Sequence, residues 1–463
     1  VVYPFLLFRT DGGRRELCNF VPPIFVVAAC PKCYNQHKIN DMGGRAGSVE
    51  ELQNVGAEGR QGKGLFKFFK NFRNEKNFNL FLVAGLFAGI GGGINTSIFN
   101  NYLSAFYNLS EQARGFLEVP REIPGFCIML VLALLNFLGD IRIAMVGMVA
   151  SGIGMLGLGM LTPVYAVMII FMMMFSLGTH MVMPVTPSIG MSLSKPEEFG
   201  NRLGTVSAFS LYGTIVAYIF IFVGFNYMHL SYQLSFVIAA IFYVIAAFMM
   251  GFMKKGKRET RRVKFIFRKQ YRLYYVLAVI SGARNQIYMT FAPWVLVRVF
   301  NLGPQMFAIL GMVVALVSIG TRKLIGRWID NRGERFVLTM EAVLLFVICF
   351  GYSFADRLFS AGIAVVIIAG CYVIDGSMSA VEMARSTYAR KICVNLADLT
   401  PTLSTGTSLQ HIASMVIPVF GGLLWAAVGY EAVFMAAAVI ALLNLILSRR
   451  IRIELDPNLQ PTE

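Results

Sequence analysis

Apolar residues run along this chain in blocks of about twenty or more, with polar and charged residues gathered between the blocks. A helix crossing the ~30 Å hydrocarbon core of a bilayer needs about 20 predominantly apolar residues. The pattern therefore predicts an all-α integral membrane protein with about twelve transmembrane helices, over residues 79–104, 114–138, 141–162, 164–191, 202–224, 230–253, 272–298, 304–325, 336–355, 358–384, 399–425 and 429–449.

The connections between these blocks alternate in charge. One set carries Lys195 and Arg202, the basic block from Lys254 to Arg272, the stretch Arg327 to Arg335, the stretch Arg385 to Lys391, and the tail Arg449, Arg450 and Arg452. The other set, Thr162–Pro163, 224–231, 301–305 and Gly429–Tyr430, is almost uncharged. Lysine and arginine concentrate on the cytoplasmic side of membrane proteins. Both termini and the 254–272 linker are therefore expected in the cytoplasm, with the chain a multi-pass protein of the plasma membrane.

Composition adds to this picture without changing it. The chain of 463 residues is 56% hydrophobic and 14% charged, which is too apolar for a soluble core of that size. Its net charge of +16 suggests nucleic acid, but the basic residues follow the topology, so no nucleic-acid partner is expected. No Gly-x-x-x-x-Gly-Lys-Ser/Thr loop is present, which argues against direct drive by ATP. No cofactor is expected, the chain does not read as an enzyme, and it is expected to act as a monomer.

Five regions follow. Residues 1–77 read as a cytoplasmic leader, mostly disordered, with Met42 as an alternative start and an aromatic and basic interfacial helix near 65–73. Within it Cys18, Cys30, Cys33 and His37 resemble part of a zinc set, and Val27 to Cys30 resembles a lipoprotein cleavage box; both signals lack their usual companions. Residues 78–253 form a first six-helix bundle, 254–272 a basic linker, 273–449 a second bundle, and 450–463 a cytoplasmic tail. Segment seven begins about 195 residues after segment one, which fits two six-helix pseudo-repeats.

The clearest motif is the charged connector Gly326-Arg327-Trp328-Ile329-Asp330-Asn331-Arg332-Gly333-Glu334-Arg335 between two spanning blocks. It is expected to be a tight turn whose glycines let helix ends approach and whose Asp330 acts as a latch. Gly326, Asp330, Gly333 and Arg335 resemble the cytoplasmic loop motif of the major facilitator superfamily of transporters. Asn331 and Glu334 stand where that motif has basic residues. Gly139-Asp140, about 190 residues before Asp330, is a degraded second copy. The resemblance extends over residues 79–449 and implies alternating access, with segments one, four, seven and ten lining the substrate path.

Ionisable groups at membrane depth are costly and mark candidate sites. Arg284 lies roughly 18 Å into segment seven at 1.5 Å per residue, near the midplane. Its planar fork suits a carboxylate, phosphate or sulfate; the alternative is an ion pair with Asp375 or an acid of segment two. Asn285 and Gln286 beside it, Asn95 and Asn100 on segment one, and His180 and His411 complete the expected cavity set. Glu118, Arg121 and Glu122 share a face of segment two by three- and four-residue spacing, next to Pro120 and Pro124, as a gate or coupling site. Asp375 is the leading proton carrier. The sequence thus reads as a secondary transporter of a small polar or anionic solute with a proton or sodium ion as coupling ion. The rivals are a multidrug exporter of the same fold and a non-transporting sensor or scaffold.

Overall fold

Helix accounts for each of the twelve blocks, because a backbone in hydrocarbon must satisfy its own hydrogen bonds. The structure, a computed structural model, describes residues 75–135, 137–194, 199–254, 267–394 and 398–451. The expectations for the leader up to residue 74, for linker residues 255–266 and for the tail from residue 452 lie outside the described residues.

The first half holds α1 (Lys76–Tyr107), α2 in three consecutive pieces (Glu111–Phe116, Glu118–Phe126 and Ile128–Leu134), α3 (Asp140–Met160), α4 (Tyr165–Ser192), α5 (Phe199–Tyr227) and α6 (Tyr232–Gly251). The second holds α7 (Arg272–Arg298), the pair α8 and α9 within Pro304–Leu358, α10 (Ala361–Ser377, a 3₁₀ turn Met378–Val381 and Glu382–Ile392), α11 (Leu399–Val428) and α12 (Tyr430–Ser448). Among the described residues nine helices are long and apolar enough to cross a membrane. One of these, the α8–α9 double helix, takes up two of the twelve expected segments, and α2 and α7, which are broken or more polar, correspond to the other two.

Packing repeats between the halves. In the first, α1 lies against α5 and α6, and α3 against α4 and α6; in the second, α7 lies against α11 and α12, and α9 against α10 and α12. Close approach depends on glycine where backbones meet: a Cβ on Gly89 would sit 2.1 Å from the Ser210 carbonyl oxygen across α1 and α5. Large apolar side chains such as Leu130, Val244, Val347 and Val366 are exposed around the outside, as a lipid-facing surface requires.

Two expectations change. The connector 326–335 is not a tight turn: helix continues to residue 332, and a single residue, Gly333 with φ 78° and ψ 169°, turns the chain into α9. The stretch Arg385 to Lys391 is helix rather than loop, since α10 runs on past its 3₁₀ turn to Ile392.

The halves touch along α2 with α11 and α5 with α8. Their closest approaches gather at the end of the bundle that carries the neutral loops. There a Cβ on Gly115 would fall 2.2 Å from the Pro418 carbonyl oxygen, and one on Gly422 2.6 Å from that of Glu111. Arg298 Nη1 donates to Asn108 Oδ1 at 2.7 Å, and Asn101 Nδ2 donates to the Leu302 carbonyl at 2.6 Å.

Candidate functional site

Between the halves lies a cavity of about 260 Å³. Asn95, Thr96, Phe99 and Asn100 of α1, Arg114 and Arg121 of α2 and Tyr218 of α5 line one side. Tyr288, Met289 and Pro293 of α7, Phe307, Gly311 and Val314 of α8, and Tyr372 and Gly376 of α10 line the other. Aromatic rings thus face amides and guanidinium groups, with the Tyr288 and Tyr372 rings 5.2 Å apart.

The polar wall is an ion network along α2. Spacing of three and four residues stacks its members on one helix face. Arg114 and Arg121 both bind the Glu118 carboxylate, and Arg121 Nη2 also reaches Glu122 Oε1 at 3.0 Å. Arg114 Nη2 donates to Asn100 Oδ1 at 3.2 Å, and Gln286 Nε2 of α7 donates to Glu118 Oε2 at 2.6 Å. His411 Nδ1 of α11 donates to Glu122 Oε2 at 3.0 Å. The network therefore ties both halves together. The Glu118 side chain is 0% exposed and that of Arg121 27%, so Arg121 is the member that a solute in the cavity reaches. Where Pro120 and Pro124 interrupt the helical ladder, Ser176 Oγ of α4 donates to the Arg121 carbonyl at 2.5 Å.

Arg284 stands elsewhere. It is buried and does not line the cavity. Nη1 donates to Asp375 Oδ1 at 2.5 Å, and Nη2 lies 3.6 Å from Glu341 Oε1. Glu341 also accepts from Arg385 Nη1 at 2.8 Å, and Arg385 Nε donates to Glu382 at 2.8 Å. This second network is confined to α7, α9 and α10. It touches the cavity wall only through the chain neighbour of Asp375, Gly376. Asn285, also expected in the cavity, is exposed on another face of α7 and lines no part of it.

His180 and His411 converge from α4 and α11 with ring centroids 5.1 Å apart. They meet over Gly125, where a Cβ would lie 2.6 Å from His180 Nε2 and from His411 Cε1.

The loop motif divides. Asp330 is exposed and Gly326 has open space around it, so no close helix approach depends on that glycine. Gly333 and Glu334 hold the turn: Lys391 Nζ lies 2.7 Å from Glu334 Oε1. Arg335 follows in the first turn of α9. Gly139, with φ 75° and ψ 159°, sits before Asp140 at the start of α3 as Gly333 sits before Glu334 at the start of α9. The structural counterpart of Asp140 is therefore Glu334, not Asp330. Asp140 is held by Ser188 Oγ.

Sequence reasoning missed the cavity tyrosines Tyr218, Tyr288 and Tyr372 and the buried Arg114. Arg114 stands four residues before Glu118, a spacing that carried the signal. The tyrosines lie among many other aromatic residues, and nothing local marks them.

The family model that describes the Major Facilitator Superfamily matches residues 123–393. No curated protein matches the chain by sequence. Among solved structures, a bacterial homologue of the human lysosomal transporter Spinster, in an inward-facing and occupied conformation, aligns at TM-score 0.62 and 16% identity, over 80% of this chain and 95% of that one. The nucleoside transporter NupG aligns at 0.62 and 10%, over 80% and 98%. A D-xylose–proton symporter aligns at 0.60 and 13%, over 81% and 96%. At such identities these likenesses speak for the fold, and the fold is the one the family model describes. With that model running from the middle of α2 to the end of α10, more than half of the chain, the protein belongs to the Major Facilitator Superfamily of secondary transporters.

Proposed function

We propose that the protein moves a small polar or anionic solute across the plasma membrane by alternating access, coupled to protons. The observation that carries the reading is the central cavity, walled by both halves, in which the accessible guanidinium of Arg121 and the amides of Asn95 and Asn100 share the lining with Tyr218 and face Tyr288 and Tyr372. Such a wall binds a negative or electron-rich group at one end and stacks an apolar face at the other. In this reading Arg121 takes the role that the sequence suggested for Arg284. Asp375 remains the candidate proton carrier, because it shares Arg284 with Glu341 and stands directly behind the cavity wall at Gly376.

The basic end of the bundle is assigned to the cytoplasm by the positive-inside rule. The closures at Asn108–Arg298 and Gly115–Pro418 then lie on the outer side, which makes this arrangement inward-facing. Asp330 engages in the opposite, outward-facing state.

Reconstitution into liposomes with an interior pH dye, followed by a screen of organic anions, sugars and drugs, tests the reading. Solute-dependent proton movement is expected. Ligand binding without flux would point to a sensor, and competition by cationic dyes to an exporter.

A further inference from the structure

We propose that Glu122, His180 and His411 form a site for a borderline-soft divalent cation of the zinc class, held between the two halves of the bundle. One ligand atom from each residue, two imidazole nitrogens and a carboxylate oxygen, lies within 4.8 Å of the others. Zinc at about 2.0–2.1 Å from tetrahedral ligands needs them about 3.3–3.4 Å apart, a distance reached by small side-chain movements.

The surroundings prepare the ligands. His180 Nδ1 donates to the Ser176 carbonyl at 2.8 Å, which fixes the tautomer and leaves Nε2 as the lone-pair nitrogen. Nε2 points over Gly125 toward the His411 ring. Glu122 gives Oε1 to Arg121 and directs Oε2 at His411, so one oxygen is orienting and the other faces the site. A side cavity of about 70 Å³ that reaches His180, Ser176 and Thr179 leaves room for a water as fourth ligand.

Charge narrows the class of ion. The carboxylates of Glu118 and Glu122 are matched by Arg114 and Arg121. Binding must then come from imidazole ligation rather than net negative charge. That selects zinc, cobalt or nickel over magnesium and calcium, which need several oxygen ligands. Because the ligands come from α2 and α4 of one half and α11 of the other, the ion would clamp the halves in this arrangement.

The test is zinc binding by the purified full-length chain after chelator treatment, read as bound zinc per chain and as the shift in thermal unfolding. One tightly held zinc is expected, with a higher unfolding temperature and no effect of magnesium or calcium. Affinity should fall at least tenfold in His180→Ala and in His411→Ala. It should fall also in Gly125→Ala, which removes no ligand but forces the rings apart. Cys30→Ser with Cys33→Ser, which removes two of the four zinc-capable residues of the leader, should leave it unchanged. In the unsubstituted chain, cobalt(II) should give visible bands without a thiolate charge-transfer band, a reading that does not depend on the variants folding. Absence of bound zinc, affinity in both histidine variants equal to that of the unsubstituted chain, or a loss of zinc binding in the Cys30→Ser, Cys33→Ser chain would overturn the proposal.

Discussion

Arg114, Arg121 and Arg284 show how far membrane depth alone identifies a site. A central arginine on a lipid-facing surface costs about 2.5–3.5 kcal/mol even on insertion scales, and among the described residues the buried cations Arg114, Arg284 and Arg385 are all partnered, as that argument expects. It does not say whether the partner is a solute or an acid. The answer depends on residues far apart in sequence: Asp375 and Glu341 take Arg284, while Arg121 keeps part of its surface toward the cavity. The two arginines should therefore fail differently. Arg121→Gln is expected to weaken binding of the anion found by the liposome screen by about 1.5–3 kcal/mol, roughly 10- to 150-fold, with Arg121→Lys intermediate. Arg284→Gln leaves the buried Asp375 carboxylate without its cation, while Glu341 keeps Arg385, and should cost about 3–5 kcal/mol of stability, largely restored by adding Asp375→Asn. Thermal unfolding and equilibrium binding on both variants decide the matter. A stable Arg284→Gln protein with collapsed anion affinity would return the substrate role to Arg284.

At the scale of the helices, number and order were legible from the apolar blocks alone, because a span must supply about 20 apolar residues wherever it occurs. Helix ends were less legible. The charged stretch 326–335 looks like a loop by composition, yet arginines and aspartate at the membrane surface tolerate helix well. The chain needs only Gly333 to turn. Its φ of 78° and ψ of 169°, like the 75° and 159° of Gly139, belong to a region that is essentially restricted to glycine and costs other residues about 1–3 kcal/mol. Gly333→Ala and Gly139→Ala should each lower stability by about that amount. Gly326→Ala should instead be neutral or stabilising by up to about 1 kcal/mol, since Gly326 is helical with open space around it. Thermal unfolding of the three variants in detergent separates these cases. A Gly326→Ala protein as unstable as Gly333→Ala would mean that the first glycine of the motif supports a helix contact after all.

For the whole molecule, the question is what holds the halves closed at the neutral end. The sequence suggests two repeats and a linker, but the choice of one state over another rests on contacts between residues 190 and 201 positions apart, Asn108 with Arg298 and Asn101 with Leu302. No periodicity reports such pairs. An alternating-access protein keeps its states within a few kcal/mol of each other, so each of these contacts is a measurable part of the difference. The Arg298–Asn108 bond is exposed and is worth about 1 kcal/mol at most, or roughly fivefold in the ratio of states. Thr96, small, exposed and on the cavity wall, offers a reporter position. In intact cells, cysteine introduced by Thr96→Cys should react slowly with an impermeant thiol reagent added outside. In inverted vesicles, which in the proposed orientation present the basic end, it should react quickly. Adding Arg298→Ala should raise the outside rate up to about fivefold without changing the rate from the basic end by more than the accompanying loss of that state. Fast outside labelling in the Thr96→Cys protein itself, unchanged by Arg298→Ala, would show that the neutral end is not the closed, external one.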